Sequence, residues 1–287
     1  MNTSVTKEPV IFDFDRWTSR LDALTPQYRQ GHPYPHIVMD NFLEAWAAEK
    51  AMREFPAVKD QGWIHYVHVN EKKHGLNKMD LLPPFIRRVI GELNSPGFLN
   101  FVSRLTGIRN LLADEMLEGG GLHQSMRGGF LNVHADFTVH PHKRTWQRRV
   151  NILIYLNPDW KHEYRGDLEL WDRQMKGVEQ KISPVFNRCV IFNTDEDSFH
   201  GLPDPIQCPE DMTRKSIALY YFTASEKGLP RKIATNYQAR PQDGAKSVLI
   251  YLDKKLVAGY TAVKGTLGIN DDFTSKMLNL FHRRRKK

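Results

Sequence analysis

Between Met116 and Phe222, short runs rich in β-branched and aromatic residues alternate with turns, and this rhythm restricts the possible folds more than any other feature of the chain. Gly129–Phe137, Arg149–Asn157, Gly166–Leu170, Cys189–Asn193 and Thr213–Thr223 each have the composition and period of a strand, with Gly-, Pro- or Asp-containing stretches between them. Strands this short bury their apolar faces by closing on one another, so the pattern predicts a double-stranded β-helix, a jelly-roll barrel, over about residues 115–225. Ahead of it a strand is expected over 36–43 and a helix over 44–55, stopped by Pro56. A further strand is expected over 63–69, with helices over 83–93 and 98–105. The expected class is α+β, mainly β, with N-terminal helices supporting the barrel. Residues 1–30 are expected to be a partly ordered lead-in, 31–225 the main domain and 226–287 a C-terminal extension. Within that extension 234–241 reads as irregular, and 245–257 as either helix or strand.

The chemistry-bearing residues fall inside the barrel pattern. His134 and Asp136 flank a single alanine in a strand-like run, so their side chains point to one face and can reach the same ion. His200, in the turn-like stretch Ser198–Pro203, is the best candidate for a third ligand. Two imidazoles and one carboxylate on one side of a metal leave the opposite positions open, as in non-haem Fe(II) oxygenases. A lone His-x-Asp is weak evidence. Its order here is more specific: His-x-Asp, strand-like runs, His after 64 residues, then Arg214 followed two residues later by Ser216. Cys189 and Cys208, the only cysteines, do not form a zinc-finger spacing and suggest a reducing compartment.

With that order of parts, the chain resembles the 2-oxoglutarate and Fe(II)-dependent dioxygenase superfamily, and within it the prolyl 4-hydroxylase-like branch, over roughly Pro35 to Thr223. The resemblance implies a cupin-like barrel that uses Fe(II), 2-oxoglutarate and O2, with ascorbate as an accessory reductant. It implies His134, Asp136 and His200 as metal ligands and Arg214 as the partner of the distal carboxylate of 2-oxoglutarate. Ser216, on the same strand face, would add a hydroxyl bond, and Tyr155 would contact the same carboxylate. Gln124 stands where related hydroxylases often place a tyrosine near the C1 end of the cosubstrate. Asn151 and Asn193 are expected to face the barrel, with Asn151 a further cofactor contact.

The loop after the ligand strand carries His140, His142, Lys143, Arg144, Trp146 and Arg148. Placed at the mouth of the site, Lys143, Arg144, Trp146 and Arg148 would attract and cover an anionic substrate; the alternative is a solvated, charged loop. His65 and His68, three apart in a strand and so on opposite faces, are expected to have structural or surface roles rather than to bind metal. The acceptor is expected to be a prolyl or other protein residue, or an anionic sugar or lipid head group of the lipopolysaccharide type. Two other functions compete with hydroxylation. A non-catalytic jelly-roll module would bind metal or ligand without turnover. A nucleic-acid demethylase would have a second arginine six residues after Arg214, where this chain has Tyr220, so nucleic acid is disfavoured.

Of the net charge of +8, Arg283–Lys287 supplies five, so the basic balance is largely a property of the tail. The tail is either a solvated end or a contact for an anionic membrane, assisted by a short amphipathic helix over 275–281. With no apolar leader at Met1–Val10, a cytoplasmic protein is expected, with a peripheral place at the inner face of the membrane as the alternative that goes with a membrane-binding tail.

Overall fold

The computed structural model describes residues 9–225 and 234–255. Five α-helices come first: α1 (Phe14–Thr18), α2 (Leu21–Arg29), α3 (Ala45–Arg53), α4 (Pro84–Leu93) and α5 (Pro96–Thr106). Between and after them run β1 (His36–Met39), β2 (Ile64–Val67), β3 (Glu71–Leu76), β4 (Leu112–Ala113), β5 (Gly121–Ser125) and β6 (Phe130–Ala135). The barrel continues with β7 (Trp146–Tyr155), β8 (Leu168–Trp171), β9 (Val178–Ile182), β10 (Arg188–Asn193), β11 (His200–Leu202) and β12 (Arg214–Ala224), and β13 (Asn236–Tyr237) follows. A larger sheet runs β1-β10-β7-β12-β5, and a smaller one runs β6-β11-β8-β9. Strand β3 pairs with both β5 and β6, and so joins the two sheets. Every one of these pairings is antiparallel, and the result is the expected double-stranded β-helix.

Period-2 alternation sorts the larger sheet into two faces. Ile152 and Ile154 of β7, Cys189 and Ile191 of β10, and Ile217, Leu219 and Tyr221 of β12 point outward into one core with the helices. Helix α4 supplies Phe85, Ile86, Val89, Ile90 and Leu93 to that core, and α5 supplies Phe98, Phe101, Val102 and Leu105. Helix α5 starts on Ser95, whose Oγ accepts from the Phe98 amide, and ends on Gly107 in the left-handed region at φ 78°, which a glycine adopts without a Cβ clash. The Tyr221 hydroxyl donates to the Leu93 carbonyl at 2.7 Å and so ties β12 to α4. The inward set forms a smaller core in which Tyr155, Val190 and Phe192 of the larger sheet meet Leu168, Leu170 and Ile182 of the smaller.

One expectation needs correction, that of His200, and two segments take a more definite form than the sequence predicts. The lead-in is helical from residue 14, and Ile11, Phe12, Trp17, Leu21, Leu24 and Tyr28 belong to the same core as the sheet. The indole of Trp17 donates to the Phe42 carbonyl at 2.9 Å, which anchors α1 on the chain beyond β1. His200 opens a strand rather than lying in a turn, because β11 is held between β6 and β8. Beyond residue 233, Asn236–Tyr237 pairs with β6 and residues 246–255 are helical, so the extension returns to the barrel. The segment expected as an amphipathic helix over 275–281 and the basic tail lie outside the described residues.

Candidate active site

His134 and His200 stand directly opposite each other on the adjacent strands β6 and β11, with ring centroids 4.5 Å apart. Each imidazole has its Nδ1 at 2.9 Å from a backbone carbonyl two residues earlier, Asn132 for His134 and Ser198 for His200. Donation from Nδ1 fixes the tautomer and turns the Nε2 lone pair inward. Asp136 follows the end of β6 and meets both rings: its Oδ1 is 3.4 Å from His134 Nε2 and its Oδ2 is 3.4 Å from His200 Nε2. One ligand atom from each residue lies within 4.8 Å of the others, the only such group of three or more His, Cys, Asp or Glu among the described residues. Burial alone would raise the Asp136 carboxyl, but the Arg148 guanidinium and the two imidazoles outweigh it and hold the carboxyl well below its usual range. Burial lowers the pKa of His200 to about 4, so this imidazole is neutral and available as a ligand at physiological pH.

The same cavity extends between the sheets past Leu153, Leu168 and Phe192 to Arg214 and Ser216 on β12. Arg214 is buried, its Nε donates to the Gly166 carbonyl at 2.7 Å, and its guanidinium lies 4.8 Å from the Tyr155 ring centroid. Among the described residues no carboxylate pairs with Arg214, and the buried Tyr155 hydroxyl has no hydrogen-bond partner. A buried guanidinium beside a bare hydroxyl is costly unless an anion joins them. Ser216 lies opposite Tyr155 across the β7/β12 pair. This end of the cavity therefore fits a carboxylate. The other end, two Nε2 atoms and a carboxylate with no thiolate, fits a divalent ion of the hardness of Fe(II).

The remaining sequence candidates divide. Gln124 does not enter the cavity. It pairs with Lys215 on the outward parity of β5 and β12 and donates to the Thr213 hydroxyl at 2.6 Å, while its neighbours His123 and Ser125 point inward. Asn193 likewise faces outward and accepts from the Tyr28 hydroxyl. Asn151 does line the cavity, but its amide donates to Asp136 Oδ2 at 2.7 Å, which makes it a support for a ligand instead of a cofactor contact.

The charged loop is also redistributed. Lys143 lies 3.8 Å over the Trp146 ring, Trp146 packs on Phe222 and His140, and Arg144 is exposed; none of Lys143, Arg144 and Trp146 lines the cavity. Arg148 alone reaches it, at 1% exposure, and it bonds Asp136 where a substrate contact was expected. A bulge explains this. Tyr221 pairs with Val150 and Phe222 with Arg148, so Arg149 is an extra residue that turns Arg148 onto the inner face.

Most of one wall of the cavity was not legible in the sequence. Glu71 and Lys73 of β3, Tyr66, His123, Tyr220 and Tyr237 line it. Glu71 binds Lys73 at 3.1 Å and His68 at 2.8 Å, so its charge is answered within the wall. Burial lowers His123 to about 3, keeping it neutral. Tyr237 pairs with His134 across β13/β6, with ring centroids 5.5 Å apart. Strict alternation along β5 would have placed His123 inward; nothing local announces the return of Tyr237 from beyond residue 233.

Residues 120–222 match the model of the 2OG-Fe(II) oxygenase superfamily. A prolyl 3-hydroxylase, OGFOD1 of Mus musculus, is 29% identical over 82 residues, covering 27% of this chain and 15% of that protein. Among solved structures, the prolyl hydroxylase of Trichoplax adhaerens, in complex with a peptide of the hypoxia-inducible factor oxygen degradation domain, is similar at a TM-score of 0.53. It is 20% identical, over 72% of this chain and 91% of the other. A prolyl-4-hydroxylase of Pseudomonas putida is similar at 0.48 with 16% identity, over 72% of this chain and all of the other. The chain thus spans only a small part of the curated relative it matches, and most of a structural one.

Proposed function

We propose, on the premise that the chain belongs to the 2OG-Fe(II) oxygenase superfamily through residues 120–222, that it is a 2-oxoglutarate-dependent hydroxylase of a prolyl residue in a protein. The observation that carries the oxygenase reading is the convergence of His134, Asp136 and His200 at one end of the cavity that holds Arg214 and Ser216 at the other, with Tyr155 packed beside Arg214. His134, Asp136 and His200 would hold the iron. Arg214, with the hydroxyls of Tyr155 and Ser216, would hold the distal carboxylate of the cosubstrate. Iron with 2-oxoglutarate and O2 supplies the oxidising power, so that a substrate C–H becomes C–OH while the keto acid leaves as succinate and CO2. Leu153, Leu168 and Phe192 keep water from the inner end, where the charge-assisted bond of Arg214 is worth about 1.5–3 kcal/mol.

Two observations favour a peptide over an anionic glycan. Tyr66, Tyr220 and Tyr237 line the cavity, aromatic surfaces suited to a pyrrolidine ring, and the charges of Glu71 and Lys73 neutralise each other there. Lys143 and Arg144, the residues that suggested an anionic acceptor, lie off the cavity. The mouse relative named as a prolyl 3-hydroxylase supports the same choice.

The test is to load the protein with Fe(II) and 2-oxoglutarate and follow succinate, then to offer a library of proline-containing peptides and search for products one oxygen atom heavier. His134→Ala and Asp136→Ala should lose metal binding and succinate formation while still unfolding cooperatively. Wild-type turnover in either variant sinks the oxygenase reading. Modification of acidic glycans with none of proline peptides sinks only the prolyl one.

A further inference from the structure

Asp136 has two oxygens, and the fold treats them unequally. Its Oδ2 accepts from Arg148 Nη2 at 2.9 Å and from Asn151 Nδ2 at 2.7 Å. Arg148 Nε in turn donates to Asn151 Oδ1 at 2.8 Å, and the Thr194 hydroxyl donates to the same oxygen at 3.1 Å. The guanidinium lies 3.4 Å from the Tyr220 ring centroid and 4.6 Å from that of Phe137. Arg148, Asn151 and Thr194 are all buried.

We infer that Arg148 and Asn151 are a positioning pair that occupies Oδ2 of Asp136 and leaves the carboxylate only Oδ1 to offer a metal. A carboxylate oxygen has two in-plane lone pairs, and both on Oδ2 are taken by N–H donors. A carboxylate free to rotate can occupy two coordination positions; one clamped in this way occupies a single position and leaves the others to exogenous ligands. The β7 bulge is the structural reason the clamp exists, since without the extra residue at Arg149 the side chain of Arg148 would point to the helix side of the sheet. The planar fork matters: one guanidinium spans Asp136 and Asn151 at once, which the point charge of a lysine does not.

This inference rests on the metal reading of the triad, and Co(II) serves as a probe that needs no turnover. Wild type, Arg148→Met, Arg148→Lys and Asn151→Ala are titrated with Co(II) by calorimetry, and the visible spectrum of each Co(II) form is recorded. Arg148→Met and Asn151→Ala should each weaken Co(II) about ten- to a hundredfold and alter the ligand-field bands, and Arg148→Lys should not restore either. The double variant should cost less than the sum of the singles, because both act on one oxygen. Wild-type affinity and spectrum in a folded Arg148→Met or Asn151→Ala overturn the clamp. If Arg148→Met does not fold, Asn151→Ala decides alone. Absence of Co(II) binding by wild type would instead overturn the metal reading itself.

Discussion

At the residue scale, Arg214 carries the sharpest consequence. Its Nε is committed to Gly166 and its remaining donors lie beside Tyr155, so its removal should affect the keto acid and spare the metal. Arg214→Ala should weaken 2-oxoglutarate binding to the Co(II)-loaded protein about ten- to a hundredfold, the equivalent of roughly 1.5–3 kcal/mol. Titration of the cosubstrate checks this, and an unchanged curve removes Arg214 from the site. His134, Asp136, His200 and Arg214 were legible because strand period and order along the chain are local properties. Gln124 faces away from the cavity that its neighbours His123 and Ser125 line. On a strand one residue is the difference between facing the cavity and facing away from it, and resemblance in spacing does not fix that parity.

At the element scale, two devices were illegible. The β7 bulge reverses the facing of Arg148, and a bulge is settled by pairing with β12, whose residues lie some seventy positions away. The helix at 246–255 is seated by Asp253, which receives His68 Nδ1 at 2.8 Å and also the Asn70 amide, while His68 Nε2 meets Glu71 at 2.8 Å. Burial opposes a charge on His68, but the hydrogen bonds and charges of Asp253 and Glu71 prevail and raise its pKa from 6.5 to about 9. A raised folded-state pKa means that this stabilisation is fully present below about 6.5 and is lost as pH climbs through about 9. Burial raises the Glu71 carboxyl, but Lys73 and His68 prevail and lower it, so Glu71 stays ionised across that window. Proteolytic cleavage within 246–255 should therefore rise between about pH 7 and about pH 10 in wild type, and should be high and insensitive to pH in His68→Gln. Equal protection of wild type at both pH values would exclude His68 as the latch.

At the scale of the whole molecule, the helices do for the outer face of the larger sheet what the smaller sheet does for its inner face. Trp17 belongs to that outer core from the far N-terminal end of the described chain. Trp17→Ala should destabilise the protein by about 3–5 kcal/mol, read from the midpoint of urea unfolding. An unchanged midpoint would return α1 to the status of a loose lead-in. Residues 9–30 looked ambiguous because helices this short have weak signals of their own, and their order comes from packing on strands that lie far along the chain. What the sequence determined by itself was whatever is periodic or ordered along it: the barrel class, most strands and helices, the three side chains that converge and the arginine after them. What only the tertiary structure decided was the facing of Gln124 and Arg148, the retreat of Lys143 and Trp146 from the cavity, the return of Tyr237 to its wall and the docking of Asp253 on His68 and Asn70. Those depend on register and on contacts between distant segments, and the free energy that selects them comes from burial and pairing that exist only once the two sheets have closed.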